Sequence, residues 1–133
     1  MRSQRQVVDY LLASDVYVTP YLDPNQITSG TLAYALGAGK AIVSTPYLHA
    51  REVLSEGRGV LVPFRDAGAI TQAVMDILAN PGAKQRLEAR AYEYGKEMAW
   101  PAIGRRVLAL MRDVLDARET GVHADANEPV PSA

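Results

Sequence analysis

The sequence predicts an α/β protein: a partial, doubly wound (Rossmann-like) sheet of about three parallel strands with flanking helices and a C-terminal helical extension. Three short runs, Asp15–Tyr21, Lys40–Thr45 and Gly59–Phe64, are rich in apolar and β-branched residues and alternate with segments of helical periodicity. Such runs are typical of strands buried in a parallel sheet. Only helical periodicity follows the third run, and 133 residues is the length of one domain.

The first half of the chain is predicted to contain two helices and two strands. A short amphipathic helix covers Ser3–Ala13, and Pro20 ends the strand that follows it. Thr28 or Ser29 caps the second helix, because either hydroxyl can accept a hydrogen bond from a free N–H of the first turn. Gly39 ends this helix as the residue with left-handed backbone, and the second strand begins directly after it.

The second half is predicted to contain four helices and the third strand. A helix at about His49–Ser55 precedes that strand, and Asp66 caps the helix after it. Pro81 opens the next helix, since proline is favoured at the first helical position, and Pro101 opens the last. The wide apolar stripe of the last helix contains Ile103, Val107, Leu110, Met111, Val114 and Leu115.

The chain turns polar after Arg118 and contains two prolines near its end. We therefore assign 1–118 to the folded domain and 119–133 to a disordered tail.

The composition excludes several classes of protein. Lys and Arg number 14 against 15 Asp and Glu, so the net charge is -1 and the basic surplus of a nucleic-acid-binding protein is absent. The absence of cysteine excludes disulfides, thiolate zinc sites and a cysteine nucleophile. No apolar run approaches the ~20 residues that span a bilayer, and no signal peptide is recognisable. We expect a cytoplasmic protein without a transmembrane segment, a nucleic-acid partner or a bound metal.

The most informative candidate site lies between the first strand and the second helix. Ligands of open parallel sheets bind beyond the carboxyl ends of the strands, where Tyr21–Gly30, Thr45–Glu52 and Pro63–Asp66 meet. Within the first segment, Gln26–Thr31 places hydroxyl residues and a glycine at the start of a helix, whose free N–H groups favour an anion such as a phosphate. A plain cap followed by a glycine explains the same pattern equally well.

Other polar residues near this edge are interpreted as structural. A single histidine in a strand-to-helix loop is usually a local hydrogen-bonding group, and we assign that role to His49. Arg58 and Arg65 are interpreted as solvated surface rather than as phosphate ligands.

The chain contains four stretches that occur in the order and spacing of a known family: Asp15–Pro20, Gln26–Lys40, Ala41–Thr45 and Gly57–Pro63. They resemble the later part of the C-terminal, nucleotide-sugar-binding domain of the retaining GT-B glycosyltransferases of family 4, and the resemblance continues to about Arg118. It implies a nucleotide-diphosphate sugar as the ligand and no metal cofactor.

The resemblance also implies donor-binding residues. The family has two glutamates separated by seven residues, one facing the donor sugar and one the ribose; here these positions hold Gln26 and Tyr34. The Gln26 amide can still bond a sugar hydroxyl, whereas Tyr34 either contacts the nucleotide or packs in the core. The family holds the donor diphosphate at the amides that match 28–31. The candidate donor-binding residues are therefore Gln26, Thr28, Ser29, Gly30, Thr31 and Tyr34, and no catalytic residue is assigned.

Two functions remain open from the sequence. The chain is either a fragment of a glycosyltransferase donor domain, inactive alone because the family's earlier strands, basic pair and acceptor domain are not found before Met1, or a non-catalytic binding or oligomerisation module derived from one. Replacement of both glutamates is consistent with the second. An independent small enzyme has little support, since no Ser-His-Asp set, P-loop or Gly-x-Gly-x-x-Gly occurs.

We also expect a homodimer. By the resemblance, Val16–Thr19 would pair with a strand that this sequence does not contain, which leaves an apolar edge exposed. A two-fold dimer through that edge or through the last helix would cover it. The alternative is a monomer in which the N-terminal helix folds over the edge.

Overall fold

The computed structural model describes the backbone of residues 4–125 and the side chains of residues 5–118. In this part of the chain, three parallel strands form one open sheet with flanking helices, so the predicted fold class is confirmed. The elements are α1 (Gln4–Ala13), β1 (Val16–Thr19), α2 (Gly30–Gly37), β2 (Ala41–Ser44), α3 (Leu48–Val53), β3 (Val60–Leu61), α4 (Ala67–Ala79), α5 (Pro81–Glu97) and α6 (Trp100–Asp125).

The strands lie in the order β1-β2-β3, with β2 in the centre. β1 pairs with β2 from Val16 opposite Ala41 to Thr19 opposite Ser44, and β3 pairs with β2 from the register Val43 opposite Val60. Each crossover between parallel strands contains a helix, α2 in the first and α3 in the second. All the carboxyl ends of the strands therefore lie at one edge of the sheet.

The central strand divides the core between the two faces of the sheet. All four residues of β2 are buried, and Ile42 packs on one face with residues of α2, α3 and α5. Ala41 and Val43 point to the other face, where they meet Ala73 and Ile77 of α4. Alternation along one strand thus supplies both layers of the core, as the predicted doubly covered sheet requires.

Helix α5 crosses α2 at unusually close range. A Cβ placed on Gly95 would lie 2.7 Å from the carbonyl oxygen of Leu36 and 2.8 Å from the Cα of Gly37. Real Cβ atoms do not approach backbone this closely, so Gly95 is required by the contact between the two helices. This contact fixes α2 against the core.

The predicted caps of α2, α4 and α5 are confirmed. The side chains of Ser29, Asp66 and Asn80 cap α2, α4 and α5 by accepting hydrogen bonds from N–H groups of the first turns. Pro81 opens α5, and Gly39 follows α2 with a φ of 62°, the left-handed conformation expected of it.

Several boundaries differ from those predicted. α3 ends at Val53, before the predicted Ser55, because Arg58 Nε donates a hydrogen bond to the Val53 carbonyl at 2.7 Å. β3 pairs over Val60–Leu61 only, a shorter strand than its apolar run. The last helix continues past Arg118 to Asp125; the division into a folded domain at 1–118 and a tail at 119–133 stays a prediction. The rest of the predicted tail, 126–133, lies outside the described residues.

The chain divides into two units, one up to Met98 and one from Ala99 onward. The first contains the sheet and helices α1 to α5. The described part of the second is the single helix α6, in which the side chains from Ile103 to Arg118 are exposed.

We predict that Gly95→Ala lowers the free energy of unfolding by about 2 kcal/mol, because the new methyl group collides with the α2 backbone. Urea unfolding at 25 °C measures the change. Gly82→Ala is the matched control on the same helix, since its Cβ would meet nothing closer than 3.6 Å; it should be neutral or slightly stabilising. Equal effects of the two substitutions would contradict the close contact.

Candidate functional site

The carboxyl edge of the sheet is lined with hydroxyl residues that are buried and hydrogen-bonded. The four buried polar residues in the described part of the chain, Thr19, Ser29, Ser44 and Thr45, all lie there. Thr45 Oγ1 donates to the Tyr21 carbonyl at 2.5 Å, and Thr45 N–H donates to the Thr19 carbonyl at 3.4 Å. These bonds fix the start of the loop that leaves β1.

The same loop is held at its far end by the first turn of α3. Leu48 N–H donates to the Pro24 carbonyl at 2.9 Å and His49 N–H to the Gln26 carbonyl at 3.2 Å. Ser29 N–H in turn donates to Nδ1 of His49 at 3.0 Å. Nδ1 therefore carries no proton in this arrangement. The predicted local role of His49 is confirmed, and its partners lie 20 or more residues away in sequence.

The first turn of α2 contains the free donors of the site. Ser29 Oγ accepts from Leu32 N–H at 3.3 Å, and Ala33 N–H donates to the Ser29 carbonyl at 3.2 Å. Within the described chain, the N–H groups of Gly30 and Thr31 have no acceptor. A Cβ on Gly30 would meet no atom within 4 Å, so the space beside the Gly30 Cα is open.

Tyr17 orients the side chain of Thr31. The Tyr17 hydroxyl, on β1, donates to Thr31 Oγ1 at 2.8 Å. Burial raises the pKa of Tyr17 above its usual value of about 10, and the bond to Thr31 opposes part of that shift. The hydroxyl remains protonated at neutral pH and holds Thr31 beside the first turn of α2.

Among the helices that follow the three strands, α2 is the one suited to an anion. The leading N–H groups of α3 are taken by the loop carbonyls described above. α4 begins with the carboxylate of Asp66, which bonds Ala69 N–H at 2.8 Å and repels a second negative charge. α2 has an uncharged cap and two open donors. Of the residues 28–31, at which the sequence predicts an anion site, Gly30 and Thr31 hold these two open donors.

The structure also shows the surroundings of Gln26 and Tyr34, which stand at the two positions where the family has glutamates. Gln26 lies in the loop, and its amide nitrogen donates to the Thr28 carbonyl at 3.1 Å. Tyr34 is 38% exposed and lies one turn after Gly30 on the same side of α2. The alternative in which Tyr34 packs in the core is therefore wrong, because the buried positions of α2 belong to Leu32, Ala35 and Leu36.

The interpretation of Arg58 as solvated surface is also wrong. Its guanidinium lies 4.2 Å from the centre of the Tyr94 ring and bonds Val53 O, Ser55 Oγ and Glu56 Oε2 at 2.7–2.9 Å. These contacts give the last carbonyl of α3 a hydrogen-bond donor, and they hold the Arg58 guanidinium within the chain. Arg65 is exposed, as expected, although its φ of 59° is rare for a residue with a side chain.

Comparisons with known proteins identify the class to which this arrangement belongs. The family model described as glycosyl transferases group 1 matches residues 1–80, and the chain belongs to that family. Its strand, loop and helix order is part of a GT-B glycosyltransferase domain, which confirms the resemblance of the sequence at the level of family and fold.

Two particular proteins are similar to this chain. A phosphatidyl-myo-inositol mannosyltransferase of Mycolicibacterium smegmatis is 29% identical over 106 residues, which are 79% of this chain and 27% of that protein. A solved structure of sucrose-phosphate synthase from Thermosynechococcus elongatus superposes with a TM-score of 0.70 at 23% identity, over 88% of this chain and 29% of that one. The chain thus spans less than a third of either relative. None of the described helices is long and apolar enough to cross a membrane.

We predict that His49→Leu makes the Ser29 amide exchange with solvent about five- to tenfold faster, because it removes the acceptor of a hydrogen bond worth ~1 kcal/mol. Amide exchange measured by NMR reports this directly. Leu48→Ala is the matched control, since it leaves the backbone bonds of the loop in place, and Ala33 should be unchanged in both variants. Unchanged protection of Ser29 in His49→Leu would show that the bond is absent in solution.

Proposed function

We propose that this chain is part of the donor-binding domain of a retaining, nucleotide-sugar-dependent glycosyltransferase, and that the donor diphosphate binds at the first turn of α2. One observation carries the proposal: the N–H groups of Gly30 and Thr31 are free at the carboxyl edge of the sheet, and the space beside the Gly30 Cα is open, in a chain of the glycosyl transferases group 1 family. Two adjacent backbone donors and a helix dipole suit a phosphate oxygen.

The side chains of Lys40 and Arg58 support anion binding by the backbone N–H groups of Gly30 and Thr31 rather than by charged side chains. Lys40 donates to the carbonyls of Leu12 and Ser14, and Arg58 is held at the end of α3. Neither cation is available to neutralise a diphosphate. A helix end without a paired basic side chain gives only a weak anion site. We expect a dissociation constant near 1 mM, which corresponds to ~4 kcal/mol.

We propose that Gln26 and Tyr34 contact the nucleotide-sugar donor as neutral side chains. The Gln26 amide need only exchange its bond to Thr28 O for one to a sugar hydroxyl. Tyr34, exposed one turn from Gly30, offers a ring and a hydroxyl to the nucleoside. Neither side chain provides the negative charge that would stabilise an oxocarbenium-like transition state. We therefore propose that the isolated chain binds donors but does not transfer sugar.

A non-catalytic binding module is the second candidate, and the side chains at the two glutamate positions favour it. With amide and phenol groups in place of both carboxylates, the site retains recognition groups without charged ones. Binding of a nucleoside diphosphate is common to both candidates, so the experiment below tests the part they share.

We predict that titration with UDP, GDP and ADP shifts the amide resonances of Gly30 and Thr31 with near-millimolar affinity. Gly30→Ala should weaken binding about fivefold, ~1 kcal/mol, because its methyl group fills the space at which a phosphate approaches. The same substitution should leave the fold intact or stabilise it by ~0.5–1 kcal/mol, since alanine favours the helix.

Gly82→Ala, in the first turn of α5, is the matched control and should leave nucleotide binding unchanged. Stability and binding thus move in opposite directions only at Gly30. Nucleotide titrations that leave residues 28–31 unperturbed would rule out the site. Transfer from UDP-, GDP- or ADP-sugars by the chain alone, abolished by Gln26→Ala, would contradict the proposed inactivity.

A further inference from the structure

One hydrogen bond between α3 and the loop that joins β1 to α2 depends on the protonation state of a side chain. Ser29 N–H donates to Nδ1 of His49 at 3.0 Å. Only a neutral imidazole with its proton on Nε2 can accept a hydrogen bond at Nδ1. In the imidazolium both ring nitrogens carry protons, so no rotation of the ring offers Ser29 an acceptor. Protonation of His49 and this hydrogen bond therefore exclude each other.

The other hydrogen bonds between this loop and α3 do not involve a titratable group. They join the backbone N–H groups of Leu48 and His49 to the carbonyls of Pro24 and Gln26. The carboxylate of Asp23 bonds an N–H group two residues further along the loop, so it does not join the loop to α3. Among the described residues, the His49 ring is therefore the titratable group that holds the loop against α3.

The charged residues on the segments around His49 leave it free to titrate. The loop contains Asp23, α3 contains Arg51 and Glu52, and α2 contains no charged residue. These three side chains are exposed, and none of them bonds His49 in the described chain. Glu52 lies three residues after His49 on the same helix, near enough to stabilise the imidazolium once it forms. The remaining titratable groups on these segments are phenols, which carry no charge between about pH 5 and 8: Tyr21, Tyr34 and Tyr47.

The peptide group that carries the Ser29 N–H also carries the Thr28 carbonyl. That carbonyl accepts a hydrogen bond from the side-chain amide of Gln26 at 3.1 Å. Ser29 is 4% exposed, and a buried N–H without an acceptor loses its hydrogen bonds to water without replacement. When His49 is protonated, this peptide group has to turn towards water, and the turn withdraws the carbonyl from Gln26. The two hydrogen bonds are therefore lost together.

We propose that His49 is a pH-sensitive switch: its protonation in acid releases the Ser29 N–H from α3 and frees the Gln26 side chain, and deprotonation restores both hydrogen bonds. The bonds within α2 are unaffected, since the Ser29 carbonyl keeps its hydrogen bond from Ala33 N–H at 3.2 Å. The switch acts on the loop whether or not a nucleotide binds there, so it goes beyond the proposed function.

NMR of the full chain between about pH 5.5 and 7.5, the range in which histidine titrates, tests the proposal. The protection factor compares the exchange rate of an amide with that of an unstructured peptide at the same pH, so it removes the intrinsic pH dependence of exchange. We expect the protection factor of Ser29 to fall about five- to tenfold from pH 7.5 to 5.5. The side-chain amide resonances of Gln26 should shift with the same midpoint as the ring resonances of His49. The protection factor of Ala33 should stay constant.

Two variants of His49 mark the ends of the expected range. His49→Asn places an oxygen where Nδ1 lies, and this acceptor does not titrate, so Ser29 should stay protected at both pH values. His49→Leu offers no acceptor, so the protection of Ser29 should be low at both. The original chain should resemble His49→Asn at pH 7.5 and His49→Leu at pH 5.5. His123, the other histidine of the chain, gives the ring resonances that remain in both variants.

Three results would overturn the proposal. The first is a constant protection factor of Ser29 while the His49 ring titrates, which would show that protonation leaves the hydrogen bond in place. The second is a His49 ring that stays neutral down to pH 5.5. The third is an equal fall of protection in His49→Asn, which would assign the effect to acid acting elsewhere in the chain. Circular dichroism establishes that each variant keeps its helix content at both pH values.

Discussion

The structure depends on the burial of β2 on both faces and both edges. Its four residues pair with β1 on one side, and Val43 and Ser44 pair with β3 on the other. Ile42 packs into one core layer, and Ala41 and Val43 pack into the other. A central strand in parallel pairing requires a crossover helix on the way in and another on the way out. The N-terminal ends of α2 and α3 therefore lie at the carboxyl edge of the sheet.

The loop before α2 combines a fixed framework with unused donors. Bonds from Thr45, Leu48 and His49 hold its backbone, so little conformational freedom remains to be lost when a ligand binds. The N–H groups of Gly30 and Thr31 are among the donors of this region to which the described chain gives no acceptor. Rigid surroundings with free backbone donors are the physical basis for the binding proposed here, although the residues at the two glutamate positions are neutral.

Features that depend on nearby residues could be predicted from the sequence. Apolar runs located all three strands, and Ser29, Asp66 and Pro81 marked helix starts, because capping acts over three or four residues. Long-range contacts could not be predicted. Nothing in the spacing of His49 indicates that its ring accepts a hydrogen bond from Ser29, or that Arg58 stacks on Tyr94. Whether Tyr34 is buried or exposed could not be predicted for the same reason, because packing against α5 decides which side of α2 is buried.

A crystal structure of this chain with a nucleoside diphosphate at high concentration tests the central claim most directly. The account predicts a phosphate oxygen within ~2.7–3.2 Å of the backbone nitrogens of Gly30 and Thr31, with the bond between Ser29 and His49 retained. A diphosphate bound elsewhere, for example against Arg58 and Arg90, or one that displaces the loop from α3, would contradict it.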